Sequence, residues 1–188
     1  MKIFKFLLCS LLLMTCITVP VFANDDTETF SIAIDYTNPN GYSQTFVDED
    51  GYLIEMQISP VEEIPITRGT STEELGYGTY TRTASITFTH QTSTDPNDKI
   101  VLSFKFKATI SATENPRLHS ISNIVRKQIY TESGPTIYTQ YATPSQNAYI
   151  SASGTGSLLA NEITKYLSIK VYLSYSEILT IQTSTSTV

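Results

Sequence analysis

The sequence predicts an all-β fold: an antiparallel β-sandwich, Ig-like or related, with about eight to ten short strands and at most one short helix. Thr, Ser, Tyr and Ile are abundant, and β-branched and aromatic side chains suit a half-buried pleated surface. Apolar and polar residues alternate in several segments, which is the period of a strand with one buried face. Turn-forming residues separate these segments at short intervals, as they do in sandwiches and barrels.

Four segments show the clearest alternation. They cover residues 30–36, 79–88, 100–110 and 167–173. In the second, Arg82 falls on the same face as Ala84, Ile86 and Phe88. Weaker strands are predicted at residues 44–47, 52–59, 121–130, 136–141, 148–153 and 177–182.

Turn residues predict how the strands connect. Residues 38–41 and 48–51 combine Asn, Asp and Gly between alternating runs, so both are predicted to close hairpins. Residues 95–98 should join the two long strands into an antiparallel pair. Residues 60–76 read as a long connection, and residues 157–165 are the only stretch with helical propensity. The Ser and Thr tail at residues 183–188 is predicted to fray.

The first 23 residues have the pattern of a signal peptide. Lys2 and Lys5 precede an apolar run at residues 6–14, and Val21 and Ala23 are small enough for a signal peptidase. Cleavage after Ala23 would leave residues 24–188 as a single secreted β-sandwich domain. A second interpretation is a lipoprotein in which Cys16 becomes the acylated N-terminus.

Cleavage after Ala23 would leave a strongly acidic chain. Its 165 residues carry ten basic and eighteen acidic side chains, a net charge of −8. This charge disfavours nucleic acid as a partner. The remaining chain has no cysteine for a disulfide and no apolar run long enough to form a transmembrane helix.

The sequence predicts no enzyme, no metal site and no cofactor. Three acidic residues, 48–50, precede Gly51 and suggest a calcium loop. Phe46 and Gln57, however, occupy positions where that loop needs an oxygen ligand and a Glu. A charged hairpin turn is the better interpretation. His90 and His119 are the only imidazoles and belong to no zinc motif.

Four tyrosines are the predicted binding residues: Tyr130, Tyr138, Tyr141 and Tyr149. They cluster around two predicted strands, and Tyr combines contact area with a hydroxyl group at modest entropic cost. The alternative is that they only pack against a sheet face.

Residues 41–46 (GYSQTF), the acidic turn 48–51 and the Ile-rich strand that follows resemble the opening of a domain-of-unknown-function family of small secreted proteins from Gram-positive bacteria. Residues 78–81 and 103–106 resemble later strands of that family, so the similarity extends from Tyr36 to about Asn123. The resemblance implies secretion and a β fold, and it brings no catalytic residues.

The functional hypothesis is therefore a non-catalytic binding or interaction module at or beyond the cell surface, with a cell-envelope glycan or a protein as its partner. The first alternative is a β-pore-forming or membrane-active protein, because such proteins also use amphipathic strands rich in Ser and Thr. The second alternative is a glycan-active enzyme, because Asp and Glu are plentiful.

Overall fold

The computed structural model describes residues 27–62, 76–159 and 163–188, which form ten β-strands and no helix. The strands are β1 (Glu28–Asp35), β2 (Tyr42–Val47), β3 (Tyr52–Ile58), β4 (Gly78–His90), β5 (Lys99–Ile110), β6 (Arg117–Lys127), β7 (Ile129–Thr139), β8 (Ala148–Leu158), β9 (Ile163–Leu173) and β10 (Ile178–Thr187). The predicted signal peptide, its cleavage site and the alternative lipid attachment at Cys16 lie outside these ranges, as does most of the predicted connection at residues 60–76. Within these ranges, no helix is long and apolar enough to cross a membrane.

The strands form two antiparallel sheets of five, which confirms the predicted β-sandwich. Sheet A has the spatial order β1, β10, β9, β8, β7, and sheet B has the order β2, β3, β4, β5, β6. The chain begins in sheet A, runs through all of sheet B as a meander and then returns to sheet A for its last four strands. Because β10 lies between β1 and β9, the first and last of these strands are paired along their length.

The core lies between the two sheets, and the alternation seen in the sequence is the alternation of burial. Strand β8, for example, alternates buried and half-buried residues over its whole length. Buried residues of sheet B are Ile54, Met56, Ile58, Ile86, Phe88, Leu102, Phe104 and Phe106, and those of sheet A are Ile150, Leu167, Ile169, Val171, Leu173 and Ile181. The burial of these apolar side chains is the main favourable contribution to folding.

Two of the predicted turns close hairpins, and the third does not. Residues 48–51 connect β2 to β3, where Gly51 adopts a φ of 82°, and residues 95–98 lie in the connection between β4 and β5. Residues 38–41, in contrast, carry the chain from sheet A to sheet B. A Cβ atom on Gly41 would lie 2.6 Å from the carbonyl oxygen of Ile58. The glycine here permits close packing of the crossover against β3 rather than a hairpin turn.

Arg82 holds this crossover in place from the middle of β4. Its side chain is fully buried, and Nη1 donates to the carbonyl oxygens of Asn40 at 3.2 Å and Ser59 at 3.0 Å. Nη2 donates to the carbonyl oxygens of Tyr36, at 3.2 Å, and Asn38. The guanidinium group also lies 5.7 Å from the centre of the Tyr36 ring. Four carbonyl groups from two chain segments are therefore hydrogen-bonded to one cation.

Two sequence predictions about the second half of the chain are wrong. No helix starts at residue 157, because β8 continues to Leu158 and β9 begins at Ile163. The predicted frayed tail is instead the end of β10, in which Thr183 and Thr185 are buried and face Ile169 and Leu167 of β9. The threonine methyl groups extend the core, and Thr183 Oγ1 donates to the carbonyl oxygen of Ser168 at 2.6 Å.

We expect Arg82→Met to lower the free energy of unfolding by about 3 kcal/mol, because it leaves buried carbonyl groups without donors. Arg82→Lys should lose most of the same energy, since an ammonium group cannot reproduce the guanidinium fork. Urea unfolding measures both. The control is Lys105→Met on β5, which removes a surface ion pair with Glu62 and should cost less than about 1 kcal/mol. Equal losses in all three variants would contradict the role given to Arg82.

Candidate functional site

The structure separates the four predicted binding tyrosines. Tyr130, Tyr138 and Tyr141 are 60, 57 and 45 % exposed, and Tyr149 is half-buried. Tyr130 and Tyr138 lie at opposite ends of β7, while Tyr141 follows that strand and Tyr149 belongs to β8. Of the four, the pair that forms a ring contact is Tyr138 and Tyr149.

A third ring extends this pair across sheet A. The Tyr138 and Tyr149 rings are nearly parallel, with centroids 5.2 Å apart and an interplanar angle of 7°. Tyr172 of β9 is the register partner of Tyr149, and its ring centroid lies 5.7 Å from that of Tyr149. Both spacings are those of interacting aromatic pairs, of which the first is stacked and the second is tilted by 32°. We call Tyr138, Tyr149 and Tyr172 the tyrosine ladder.

The local sequence explains why the ladder faces outward. Val171 and Leu173 are buried in the core, so the strand period directs Tyr172 to the opposite face. On β8, Ala148 and Ile150 are buried on either side of Tyr149 in the same way. A register irregularity in β7 between Ile137 and Thr139 gives Tyr138 its place beside Tyr149. Tyr172 is not among the four tyrosines predicted from the sequence, because it lies far from them along the chain.

A polar depression lies beside the ladder on the same face of sheet A. It has a volume of about 240 Å³ and is lined by Thr29, Ser168, Lys170, Gln182 and Ser184. We call it the polar trough. Lys170 faces Gln182 across β9 and β10, and the hydroxyl groups of Ser168 and Ser184 lie 2.5 Å apart.

Tyr172 connects the ladder to the trough. Its hydroxyl group donates to Gln182 Oε1 at 3.3 Å. Burial, together with the neighbouring Tyr149, raises the pKa of Tyr172 above its ordinary value, so the phenol remains a hydrogen-bond donor at neutral pH. The outer face of sheet A is therefore a continuous surface, with aromatic rings at one end and hydroxyl, amide and ammonium groups at the other.

Tyr141 belongs to a different group of side chains. Its backbone forms an isolated antiparallel β-bridge with that of Arg117. The guanidinium carbon of Arg117 lies 6.0 Å from the centre of the Tyr141 ring. Arg117 Nε also donates to His119 Nε2 at 3.1 Å, and the hydroxyl group of Thr109 lies 2.5 Å from the same nitrogen. Burial and the cations Arg117 and Lys107 lower the pKa of His119. This group has no ring contact with the ladder.

A second depression, of about 290 Å³, lies at one end of the sandwich. The loop between β5 and β6 and the turn between β9 and β10 form most of its lining. Exposed Tyr77 and Tyr175 also line it, together with Glu114 and Glu177. Its acidic rim distinguishes it from the polar trough.

The two histidines have separate environments. The His90 ring packs edge-on against Tyr52 with centroids 4.9 Å apart, and its Nδ1 lies 2.8 Å from the hydroxyl oxygen of Thr92. His119 contacts Thr109 and Arg117 instead. In residues 27–62, 76–159 and 163–188, no group of three or more His, Cys, Asp or Glu side chains is arranged to hold a metal ion.

Comparison of the chain with protein-family models, with curated proteins and with solved structures gives no match. The interpretation of the outer face of sheet A therefore rests on its geometry and chemistry.

We expect His119 to titrate below its ordinary pKa of 6.5, because desolvation and the nearby cations disfavour the imidazolium form. The resulting stabilisation is present above pH 6.5 and is lost as the pH falls through the folded-state pKa. An NMR titration of the His119 ring protons measures the pKa directly. Arg117→Gln should raise it towards 6.5, and an unchanged pKa in that variant would contradict the assigned cause.

Proposed function

We propose that this chain is an extracellular, non-catalytic binding module that holds a glycan on the outer face of sheet A. The observation that carries the proposal is the continuity of the tyrosine ladder with the polar trough. The signal-peptide pattern of residues 1–23 supports an extracellular location.

The ladder offers the apolar half of a sugar site. Pyranose rings have a face of C–H groups that packs against aromatic rings, and tyrosine adds a hydroxyl group at the ring edge. Tyr138 lies on the edge strand β7 and is more than half exposed. Its ring is already ordered by stacking on Tyr149, so little side-chain entropy would be lost when a ligand binds.

The trough offers the polar half of the site. Three hydroxyl groups, the Gln182 amide and the Lys170 ammonium group line it, and together they both donate and accept hydrogen bonds. A saccharide with several hydroxyl groups matches such a mixed lining. Lys170 provides a positive charge in a chain of net negative charge, which favours a sugar that carries an acidic group.

The composition of this face supports binding rather than cleavage. Glycoside hydrolysis uses a pair of carboxyl groups placed on either side of the scissile bond. The five residues that line the trough are neutral or basic, and the ladder consists of tyrosines. A polysaccharide bound here would contact aromatic, hydroxyl, amide and ammonium groups.

We expect the protein to bind at least one polysaccharide in a panel of bacterial cell-wall and capsular glycans, measured by isothermal titration calorimetry. Tyr138→Ala and Tyr172→Ala should each weaken binding about ten-fold, which corresponds to about 1.4 kcal/mol. Lys170→Gln should weaken the binding of acidic glycans more than that of neutral ones.

Tyr130→Ala is the matched control. Tyr130 lies on the same strand as Tyr138 and is equally exposed, but it is at the other end of β7. Its removal should leave the affinity unchanged. Failure to bind any glycan, or an equal loss in Tyr130→Ala and Tyr138→Ala, would overturn the proposal.

A further inference from the structure

A buried amine and two carboxylates meet between the two sheets. Lys165 Nζ, on β9 of sheet A, lies 3.3 Å from Asp48 Oδ2 and 2.9 Å from Asp50 Oδ2, both in the β2–β3 turn of sheet B. The side chains of Lys165 and Asp48 are only 4 and 3 % exposed, whereas that of Asp50 is 60 % exposed. The sequence predicted a charged hairpin turn exposed to solvent. The turn is a hairpin, but its first carboxyl group, that of Asp48, is buried.

The turn holds the Asp48 carboxyl group in a fixed orientation. The Tyr52 amide donates to Asp48 Oδ1 at 2.7 Å, and the Asp48 amide donates to the carbonyl oxygen of Tyr52 at 3.0 Å. Oδ1 is therefore hydrogen-bonded to a backbone N–H, while Oδ2 faces the amine. A backbone N–H in this position stabilises negative charge that develops on a carbonyl oxygen.

Two aromatic rings enclose the amine. Lys165 Nζ lies 5.1 Å from the centre of the Tyr52 ring and 5.5 Å from that of Phe88. These rings stack on each other with centroids 5.0 Å apart, and both side chains are buried. The amine and the Asp48 carboxyl group therefore meet in a small volume that excludes most water.

Burial and ion pairing act on the charge of Lys165 in opposite directions. Burial acts to lower the pKa of Lys165, but hydrogen bonds and attraction from Asp50 and Asp48 outweigh it and hold the pKa above its ordinary value. The ammonium form of Lys165 is therefore favoured, although a buried ion pair loses much of its attraction to desolvation. Conversion of both charges into one neutral amide would remove that cost.

We propose that Lys165 Nζ and Asp48 Cγ condense into an intramolecular amide bond that joins the two sheets covalently. A C–N bond forms, the Cγ–Oδ2 bond breaks, and one water molecule leaves. The ammonium nitrogen loses two protons and the departing oxygen gains two, so no oxidant, reductant or other reactant is needed.

Asp50 is placed to relay these protons. Its Oδ2 lies 2.9 Å from Nζ, closer than Asp48 Oδ2 at 3.3 Å. It accepts a proton from the Lys165 ammonium group and passes it to Asp48 Oδ2, so that the neutral amine attacks Cγ of an uncharged carboxyl group. The second proton leaves the nitrogen after the attack and reaches the same oxygen by the same route, and that oxygen departs as water. The Tyr52 N–H stabilises the charge on Oδ1 during the attack, and the fixed approach of the two groups replaces a bimolecular encounter.

The bond would act as a cross-link that residues 24–188 cannot make from cysteine. After Ala23 the sequence contains no cysteine, and Lys165 and Asp48 are 117 residues apart. Joining residues so distant in sequence restricts the unfolded chain in the way a disulfide does. Reducing conditions would not open the bond.

Mass spectrometry of the purified full-length protein tests the proposal. The wild type should be lighter, by one water, than the mass calculated from its sequence and its measured N-terminus. Proteolysis should release one branched peptide that contains both Lys165 and Asp48. Lys165→Arg is the matched control, since it keeps the positive charge but should show the unmodified mass.

Two further variants test the assigned roles. Asp48→Asn should still yield the same amide, now with loss of one ammonia, because the carboxamide is an alternative acyl group. The Asp50→Asn variant should fold but keep the unmodified mass, because it lacks the carboxylate that relays the protons. An unmodified mass in folded wild-type protein, or a branched peptide that joins Lys165 to Asp50, would overturn the proposal.

Discussion

The placement of one buried cation, Arg82, is the constraint on which the two-sheet arrangement depends. Its guanidinium group binds carbonyl groups of the segment that leaves sheet A and of the residue that follows β3. Without Arg82 the buried or partly buried carbonyl groups of that crossover would lack these donors, and an unpaired buried carbonyl group costs more free energy than a hydrogen bond gains. These contacts join the segment that connects the two sheets to β4, the central strand of sheet B.

Much of the fold could be predicted from the sequence because burial in this chain alternates with a period of two. That period identified the strands around Ile32, Phe88, Phe104 and Ile169. The period does not predict which strands pair over long distances in sequence. Nothing local to residues 38–41 shows that β1 pairs with β10 rather than with β2. The prediction that residues 183–188 fray was wrong for a related reason. Thr183 and Thr185 are buried because they pair with Ile169 and Leu167 of β9, and a run of Ser and Thr gives no local sign of that pairing.

The candidate site divides in the same way. Exposed tyrosines at 130, 138 and 141 could be named from composition and spacing, but which of them meet depends on the cross-strand register of β7, β8 and β9. The register selects Tyr138 and Tyr149, adds Tyr172 and leaves Tyr130 and Tyr141 elsewhere. Lys165 shows the same limit, since its partner Asp48 is distant in sequence and lies in a turn whose charges suggested solvent.

The position of β10 inside sheet A also bears on the order in which the fold is completed. Strand β1 finds its hydrogen-bonding partner only when β10 is present, so a chain in which only β1 to β6 have formed still lacks four of the five strands of sheet A. Contacts of such high sequence separation form slowly. A polypeptide synthesised from its amino end would therefore keep β1 unpaired until the last strand has emerged, and it would gain its final shape only then.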